Sequence, residues 1–507
     1  MERSARRRPL ITVTAIVVAL IGLYLAIGGA WLLALGGSLY YIVVGVGLLV
    51  TAFLLFRMRR EALFLYAVLL LGTLIWALFE VGLDFWSLAP RGDILVPLGI
   101  WLVLPVVTRR LMPAGRAAPA ALGFAVLVSV LVVGLSLTAD RRAVTGTVPV
   151  ASAAPQPNPG AQAAADWTAY GATNYGTRAS ALTQITPQTV AGLKLAWQFR
   201  TGDMRGANDP GETTNEATPL KIGHLVYTCS PHQIVFALDA ATGALRWRFD
   251  PHIQHNPTFQ HLTCRGVAYH ETAADATAAD GTPAPAECPH RIFLPTDDGR
   301  LFALNADDGT TCNGFGDHGQ IDLKQGSDVK TLGFYEGTSP PTVTDKILIM
   351  GGSVIDNYSS RVPSGVIRGF DVYSGKLIWA FDAGNHDPNE MPSATHQFTS
   401  GSPNSWIVSS ADEKLGMVYV PLGTGANDQW GGHRTPDQER FDSALVALDI
   451  ATGHLRWSFQ NVHHDLWDMD MPSQPSLADV NTANGVVPAI YVPAKTCLLY
   501  TSDAADE

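Results

Sequence analysis

An eleven-residue phrase recurs three times with little change: Ala237-Leu-Asp-Ala-Ala-Thr-Gly243-Ala-Leu-Arg-Trp247, Gly369-Phe-Asp-Val-Tyr-Ser-Gly375-Lys-Leu-Ile-Trp379 and Ala447-Leu-Asp-Ile-Ala-Thr-Gly453-His-Leu-Arg-Trp457. A fourth copy, Ala303 to Asn313, keeps Asn305 and Gly309 but lacks the final tryptophan. In each copy a short apolar strand runs into an Asp-to-Gly turn and a second strand begins, the pattern of a β-hairpin. Hairpins spaced by several tens of residues, with no strong helical period between them, predict a β-propeller, whose blades bury their faces only against neighbouring blades. A tryptophan at the end of a phrase supplies the large buried area that a wedge between blades needs. Ordinary sandwich hairpins are the competing reading, and the fidelity of the repeat disfavours them.

Residues 1–140 carry a different signal, five apolar runs at about 10–29, 38–56, 62–82, 93–107 and 119–139. Each is near the length that crosses a bilayer. The fourth is short and holds Pro97 and Pro105, which a span tolerates where neighbours satisfy the freed backbone groups. Arg3, Arg6, Arg7 and Arg8 precede the first run, Arg57, Arg59 and Arg60 follow the second, and Arg109, Arg110 and Arg116 follow the fourth. Five spans put these three clusters on one side, which the positive-inside bias makes cytoplasmic, so the remainder of the chain is delivered outside. Arg141 and Arg142, after the fifth run, dissent weakly.

From Arg141 to Ala165 the chain is Ala, Pro, Gly and Gln with no apolar period, a tether to a domain starting near Asp166. The net charge is -11 although the membrane part is basic. The outer domain is therefore acidic, which argues against nucleic acid as a partner and favours small neutral molecules or cations. Cys229, Cys264, Cys288 and Cys312 fall in this outer part, an oxidising location under the topology above, and four cysteines allow three pairings. With no CxxC or CxxCH, zinc ligation by cysteine and covalent haem are disfavoured.

The densest chemistry lies in His463-His464-Asp465-Leu466-Trp467-Asp468-Met469-Asp470. Carboxylates this close repel one another unless they share a cation or a proton, so the octet reads as a metal site or a general-base site. Its bland reading is a solvated loop with Trp467 tucked under a blade.

The recurring phrases resemble the tryptophan-docking motifs of bacterial quinoprotein dehydrogenases, and the five-run anchor narrows the likeness to the membrane-bound glucose dehydrogenases that depend on pyrroloquinoline quinone (PQQ). The resemblance extends over residues 1–496: Asp166-Trp167 with Gly171, Leu193 to Asp203, Asn215 to Pro219, Phe259 to Gly266, Thr338 to Pro341, Gly365 to Asp371 and the 463–470 octet follow in the family's order. It implies an eight-bladed, all-β propeller behind an α-helical transmembrane anchor, and an enzyme of the bacterial inner membrane with its catalytic domain in the periplasm. The implied reaction is oxidation of D-glucose or another aldose to glucono-1,5-lactone by hydride transfer to PQQ, with electrons passing to ubiquinone in the bilayer. Related quinoproteins with the same anchor oxidise quinate, shikimate or polyols, and a non-enzymatic scaffold propeller is the alternative of another class.

PQQ is planar, anionic and an ortho-quinone, so its site needs flat groups on two faces, cations for its acids and a hard cation at the quinone oxygen. By resemblance His261 and Trp406 cover the faces, while Arg265, Thr338, Ser353, Lys495 and, more weakly, Glu216 hold the acid and quinone oxygens. Asp356 and Asn357 resemble the oxygen ligands of Ca²⁺ (or Mg²⁺), although Asp-Asn is also a common turn pair. Alcohol-oxidising relatives place another ligand, an Asn, near the position of Ala426, and Asn427 is adjacent here. Asp468 is the expected general base and Lys495 the group that stabilises charge developing on the quinone, with Asp465 and Asp470 as supports.

The last eleven residues, Cys497 to Glu507, interrupt the strand-like run Ala489 to Thr496 and resemble a translated sequencing adapter. The expected division is thus a transmembrane anchor at 1–140, a linker at 141–165, a partial propeller at 166–496 and a non-native tail at 497–507, in a chain truncated at its carboxyl end.

Overall fold

Long apolar runs form helices first, because a helix satisfies every backbone group within itself. The computed structural model describes residues 8–34, 38–111, 115–138, 165–482, 485–496 and 499–503. These residues belong to two units, 1–150 and 151–507. The expected linker lies outside the described residues except for Ala165, as do 497–498 and 504–507 of the expected tail.

The first unit is helical: α1 (Arg8–Ala34), α2 (Tyr40–Phe56), α3 (Glu61–Val81), α4 (Phe85–Gly92), α5 (Leu95–Val103), α6 (Pro105–Thr108) and α7 (Ala117–Ser136). Among the described residues three helices are long and apolar enough to cross a membrane, within α1, α3 and α7, and α2 is an apolar helix of 17 residues. The fourth expected span is not one helix. Leu104 is pushed to ψ 143°, the extended conformation favoured before proline, and the run breaks into α5 and α6. The sequence reading also missed α4, which lies between the third and fourth runs. Gly22 and Gly45 face each other where α1 crosses α2, and a side-chain carbon on either would collide with the opposite helix. Polar side chains turn inward to partners: Tyr66 Oη donates to Leu95 O at 2.8 Å and Trp101 Nε1 to Thr14 Oγ1 at 3.1 Å.

Among the described residues the second unit holds four antiparallel four-stranded meanders, one three-stranded sheet and two two-stranded pairs, Thr213–Asn215 parallel to Leu262–Cys264 and Tyr335–Glu336 antiparallel to Ser353–Val354. The first blade is Leu220–Ile222, Leu225–Cys229, Val235–Asp239 and Leu245–Phe249; the second is Ala268–Glu271, His290–Pro295, Arg300–Asn305 and Gln320–Asp322. The third is Thr342–Val343, Ile347–Met350, Ile367–Asp371 and Leu377–Phe381; the fourth is Ser410–Asp412, Met417–Pro421, Ala444–Asp449 and Leu455–Gln460. The three-stranded sheet is Ser476–Thr482, Gly485–Pro493 and Leu499–Asp503.

Each repeated phrase is the hairpin joining the last two strands of a blade, or its equivalent in the second blade. The Asp carboxylate caps the turn, as where Asp239 Oδ1 accepts from the Thr242 amide at 2.9 Å, and the glycine stands at positive φ, 71° at both Gly243 and Gly453. The glycine is needed for a second reason. Trp197 packs on Gly243, Trp247 on Gly309 and Trp379 on Gly453, so closely that an added Cβ would lie 2.5–2.6 Å from the indole. Each indole N–H also donates to the carbonyl following the Asp or Asn of that turn: Trp197 to Ala240 O at 3.0 Å, Trp247 to Ala306 O at 2.8 Å and Trp379 to Ile450 O at 2.8 Å.

The tryptophan-less copy is compensated. Phe315 and Ile321 pack on Gly375, and the guanidinium of Arg291, which is 1% exposed, donates to Val372 O at 3.3 Å and Tyr373 O at 2.9 Å. The cysteine pairing left open by the sequence is Cys229–Cys264 and Cys288–Cys312. A six-residue helix, Pro436–Phe441, is the one α-helix of this unit among the described residues, and a Thr435/Gln438 capping box starts it.

Candidate active site

In an up-and-down blade, the entry to the first strand, the loop between the second and third and the exit from the fourth all lie at the same end. The candidate residues come from these segments. His261 and Arg265 precede the second blade, and Ser353 and Asp356 lie between the second and third strands of the third. Asn404 and Trp406 enter the fourth blade, Thr424 and Asp428 follow its second strand, and Asp468 and Asp470 leave its last. Lys495 follows the second strand of the last sheet. Together with Glu212 these residues line a cavity of about 280 Å³, near the lower end of small-molecule sites.

Seven of the expected site residues therefore meet in one place: His261, Arg265, Ser353, Asp356, Trp406, Asp468 and Lys495. Three others stand behind the lining. Glu216 Oε2 accepts from Arg265 Nε at 2.9 Å, and Thr338 Oγ1 accepts from Arg265 Nη1 at 2.6 Å, so both orient the guanidinium. Asn357 Nδ2 donates to Asp428 Oδ2 at 3.1 Å, and its Oδ1 accepts from the Gln429 amide at 3.3 Å. Asn427 does not line the cavity, and its Oδ1 is buried without a hydrogen-bond partner.

The octet divides its labour by burial. Asp465 is fully buried and acts on its own loop, with Oδ2 accepting from Ser443 Oγ at 2.6 Å, Thr424 Oγ1 at 3.0 Å and the Met469 amide at 2.6 Å. Arg434 closes the loop from outside by donating to Asp465 O at 2.6 Å. Asp470 fixes the floor: it accepts from Trp406 Nε1 at 3.1 Å, the Thr424 amide at 2.8 Å and Lys495 Nζ at 2.9 Å. Asp468 is half-buried at φ 57° and has Lys495 Nζ at 3.0 Å from its Oδ2. Trp467, expected beneath a blade in the bland reading, is instead 72% exposed.

Carboxylates are crowded here, and their acidities record it. Burial and then the Asp470 charge push Asp468 up to about 6 against the pull of Lys495. Burial followed by the charges of Asp356, Asp468 and Asp470 pushes Asp428 up to about 8. Asp356 opens into the cavity, yet the surrounding protein desolvates it and raises its pKa, although Gln260 Nε2 donates to it. Burial opposes protonation of Lys495, but Asp470 and Asp468 outweigh it and raise the ammonium pKa. Over Trp406 the Arg265 guanidinium stands 5.2 Å from the ring centroid and the Lys495 ammonium 6.0 Å. Asn404 Oδ1, in the cavity wall, is buried with no hydrogen-bond partner.

Sequence reasoning missed Glu212, Asn404, Thr424 and Asp428 as lining residues and assigned Asp470 only a support role. Asn404 sits two residues before Trp406, and Asp428 follows the glycine-rich stretch Gly423-Thr-Gly425, so proximity to a candidate ring and to a tight loop were the available signals.

A propeller whose blades lock through tryptophan on glycine, with a cavity of rings, cations and acids at one end, defines the class. The family model described as PQQ: Glucose/ethanol/alcohol dehydrogenase, beta-propeller domain, matches residues 167–506, and the chain belongs to that family. More particularly, it is 52% identical over 496 residues to the quinoprotein glucose dehydrogenase of Gluconobacter oxydans (strain 621H), covering 97% of this chain and 61% of that protein. It is 50% identical over 503 residues to the quinoprotein glucose dehydrogenase of Escherichia coli (strain K12), covering 99% of this chain and 63% of that one. The chain thus spans about three-fifths of the length of these relatives. Among solved structures, quinohemoprotein alcohol dehydrogenase from Comamonas testosteroni superposes with a TM-score of 0.53 at 23% identity, over 67% of this chain and 48% of that one, a likeness of fold.

The residues present fit a PQQ-type cofactor. His261 and Trp406 offer flat groups, Arg265 and Lys495 offer cations, and the unpartnered Asn404 oxygen offers an acceptor. The carboxylate surplus fits a hard divalent cation, because Asp356, Asp428 and Asp468 are all held above their ordinary pKa while, among the described residues, Arg265 and Lys495 are the cationic side chains of the lining.

Proposed function

We propose that this chain is part of a membrane-bound quinoprotein that oxidises D-glucose or a related aldose to the 1,5-lactone at the periplasmic face of the inner membrane, with ubiquinone as electron acceptor. The observation that carries the reading is the Asp468–Lys495–Asp470 chain in a cavity shared with His261, Arg265, Trp406 and Asp356. When bound, PQQ would supply an ortho-quinone able to take up a hydride, and a divalent cation would make that quinone more electrophilic. Asp468 takes the proton of the anomeric hydroxyl. Lys495 holds Asp468 in place and presents positive charge where negative charge develops. Asp356 and Asn357 would hold the cation, with Asp428, which accepts from Asn357 Nδ2, next to them. Arg265, braced by Glu216, Thr338 and Trp406, would hold an acid group, and His261 and Trp406 would supply flat groups for the ring.

The same reading takes 1–140 as a five-span anchor, in which α5 and α6 form one proline-broken span, 141–165 as a linker and 166–496 as part of an eight-bladed ring. Support for the orientation is the placing of the arginines. A periplasm-active reporter fused after Thr138 gives signal and one fused after Arg60 gives none; the reverse pattern rejects the topology.

The function is tested on membranes carrying the full-length gene product, stripped of cofactor and divalent cations. Glucose-dependent quinone reduction returns only when PQQ and Ca²⁺ (or Mg²⁺) are both supplied, and Asp356→Ala shifts the half-saturating Ca²⁺ concentration upward by at least tenfold, with activity partly recovered at high Ca²⁺. Activity on glucose without added PQQ rejects the cofactor assignment, and an unchanged Ca²⁺ dependence removes Asp356 from the cation site.

A further inference from the structure

A second cluster of metal-ligating groups lies at the same end of the propeller but outside the cavity. Asp209 precedes the first blade, His232 lies between its second and third strands, and His255 follows its fourth. The ligand atoms of the three side chains all fall within 4.8 Å of one another. Both carboxylate oxygens of Asp209, a fully buried side chain, face the rings: Oδ1 is 2.6 Å from His255 Nδ1 and Oδ2 is 3.2 Å from His232 Nε2. The two imidazole centroids are 4.6 Å apart.

His232 is set up by a fourth residue. Asp203 accepts from its ring at Nδ1, 2.5 Å away, and from its backbone amide at 2.9 Å. With the proton held at Nδ1, the lone pair is at Nε2, on a residue only 6% exposed. Nε2 makes no hydrogen bond, although a carboxylate oxygen is close by. In the neutral ring such a buried lone pair facing a carboxylate is repulsive, and either a second proton, which Asp203 and Asp209 both favour, or a metal ion between the two relieves it. A carboxylate that fixes one imidazole nitrogen and frees the other is also the arrangement found behind metal-binding histidines.

We propose that Asp209, His232 and His255 form a divalent-metal site of the zinc class, with Asp203 as the positioning residue. Two imidazoles and one carboxylate suit Zn²⁺ better than the hard, oxygen-seeking Ca²⁺. Tetrahedral ligands stand roughly 3.3 Å apart at ordinary zinc bond lengths. Ligation requires the 2.6 Å hydrogen bond between His255 Nδ1 and Asp209 Oδ1 to open, and His255, the exposed member, is the one free to shift. Its remaining position opens on a cavity of about 480 Å³ lined by Asp203, His232 and His255 along with Asp250 and His252, which leaves room for a water or an exchangeable ligand. Asp209, His232 and His255 share no residue with the lining of the first cavity, so the site is independent of the cofactor.

The purified full chain in detergent, stripped with a chelator, is titrated with Zn²⁺ alone against a chromophoric zinc indicator. One equivalent binds in the parent and in Asp356→Ala. His232→Gln and His255→Gln each weaken that binding at least tenfold, and Asp203→Asn weakens it about 10–100-fold, the usual effect of losing a ligand's orienting partner. His255 is half exposed, so its substitution leaves the fold intact even where His232→Gln does not. If the parent binds no stoichiometric Zn²⁺, or if His255→Gln binds it as the parent does, the site is rejected. His232 is then a protonated imidazole bridging Asp203 and Asp209.

Discussion

Asp468→Asn in the cofactor-loaded enzyme lowers turnover by a factor of about 10² to 10⁴, the usual contribution of a positioned general base. The substitution isolates the proton transfer because little else changes. Residue 468 stands at φ 57°, a conformation that asparagine adopts readily and alanine resists, so the backbone keeps its course. The amide retains a carbonyl oxygen for Lys495. The parent kcat/KM profile carries an acid limb, since a base held up to about 6 by burial and Asp470 loses function as falling pH protonates it, and a bound cation moves that limb lower. The Asn variant lacks the limb. Its neighbours behave differently: Asp465→Asn, in a fully buried carboxylate that accepts from Ser443, Thr424 and Met469, costs loop stability, and its loss of turnover is smaller. Near-normal turnover in Asp468→Asn, with an intact acid limb, assigns the base to another group.

The second large effect is structural. Trp379→Ala destabilises the outer unit by about 3–5 kcal/mol, the range for removing a buried large aromatic and leaving a cavity. Trp379 is buried, crosses Gly369 within its own blade, stacks on Gly453 of the next and donates to Ile450 O at 2.8 Å. Its removal opens the seam between the third and fourth blades, the two that carry Asp356 and Asp468. Trp467→Ala is the control: an indole exposed to 72% contributes within about 0.5 kcal/mol. Urea midpoints of the near-ultraviolet signal distinguish the two. If Trp379→Ala is as mild as Trp467→Ala, the blades are not locked through their tryptophans.

Those two indoles show how far a sequence can be read. Trp379 ends a repeated phrase, and the repeat alone marks it as a wedge between blades. Trp467 lies in no repeat, and only the path of the loop held by Asp465 shows that it faces water. The same division runs through the site. The octet announced its chemistry through the crowding of three acids in eight residues, but which acid faces the cavity follows from burial, and burial depends on Ser443, Thr424 and Arg434 arriving from elsewhere.

Local periodicity was enough to establish the apolar helices, the hairpins, the propeller and the acidic loop, because each is written in contacts between residues near one another in the chain. Tertiary structure decided the rest. It paired Cys229 with Cys264, broke the fourth apolar run at Leu104, put Arg291 in place of a missing tryptophan, and set Glu216 and Thr338 behind Arg265 rather than in the cavity. It also brought Asp209 to His232 and His255 across three separate loops. The reason is physical: these outcomes depend on distances between segments tens to hundreds of residues apart, which packing between blades determines and no local pattern encodes.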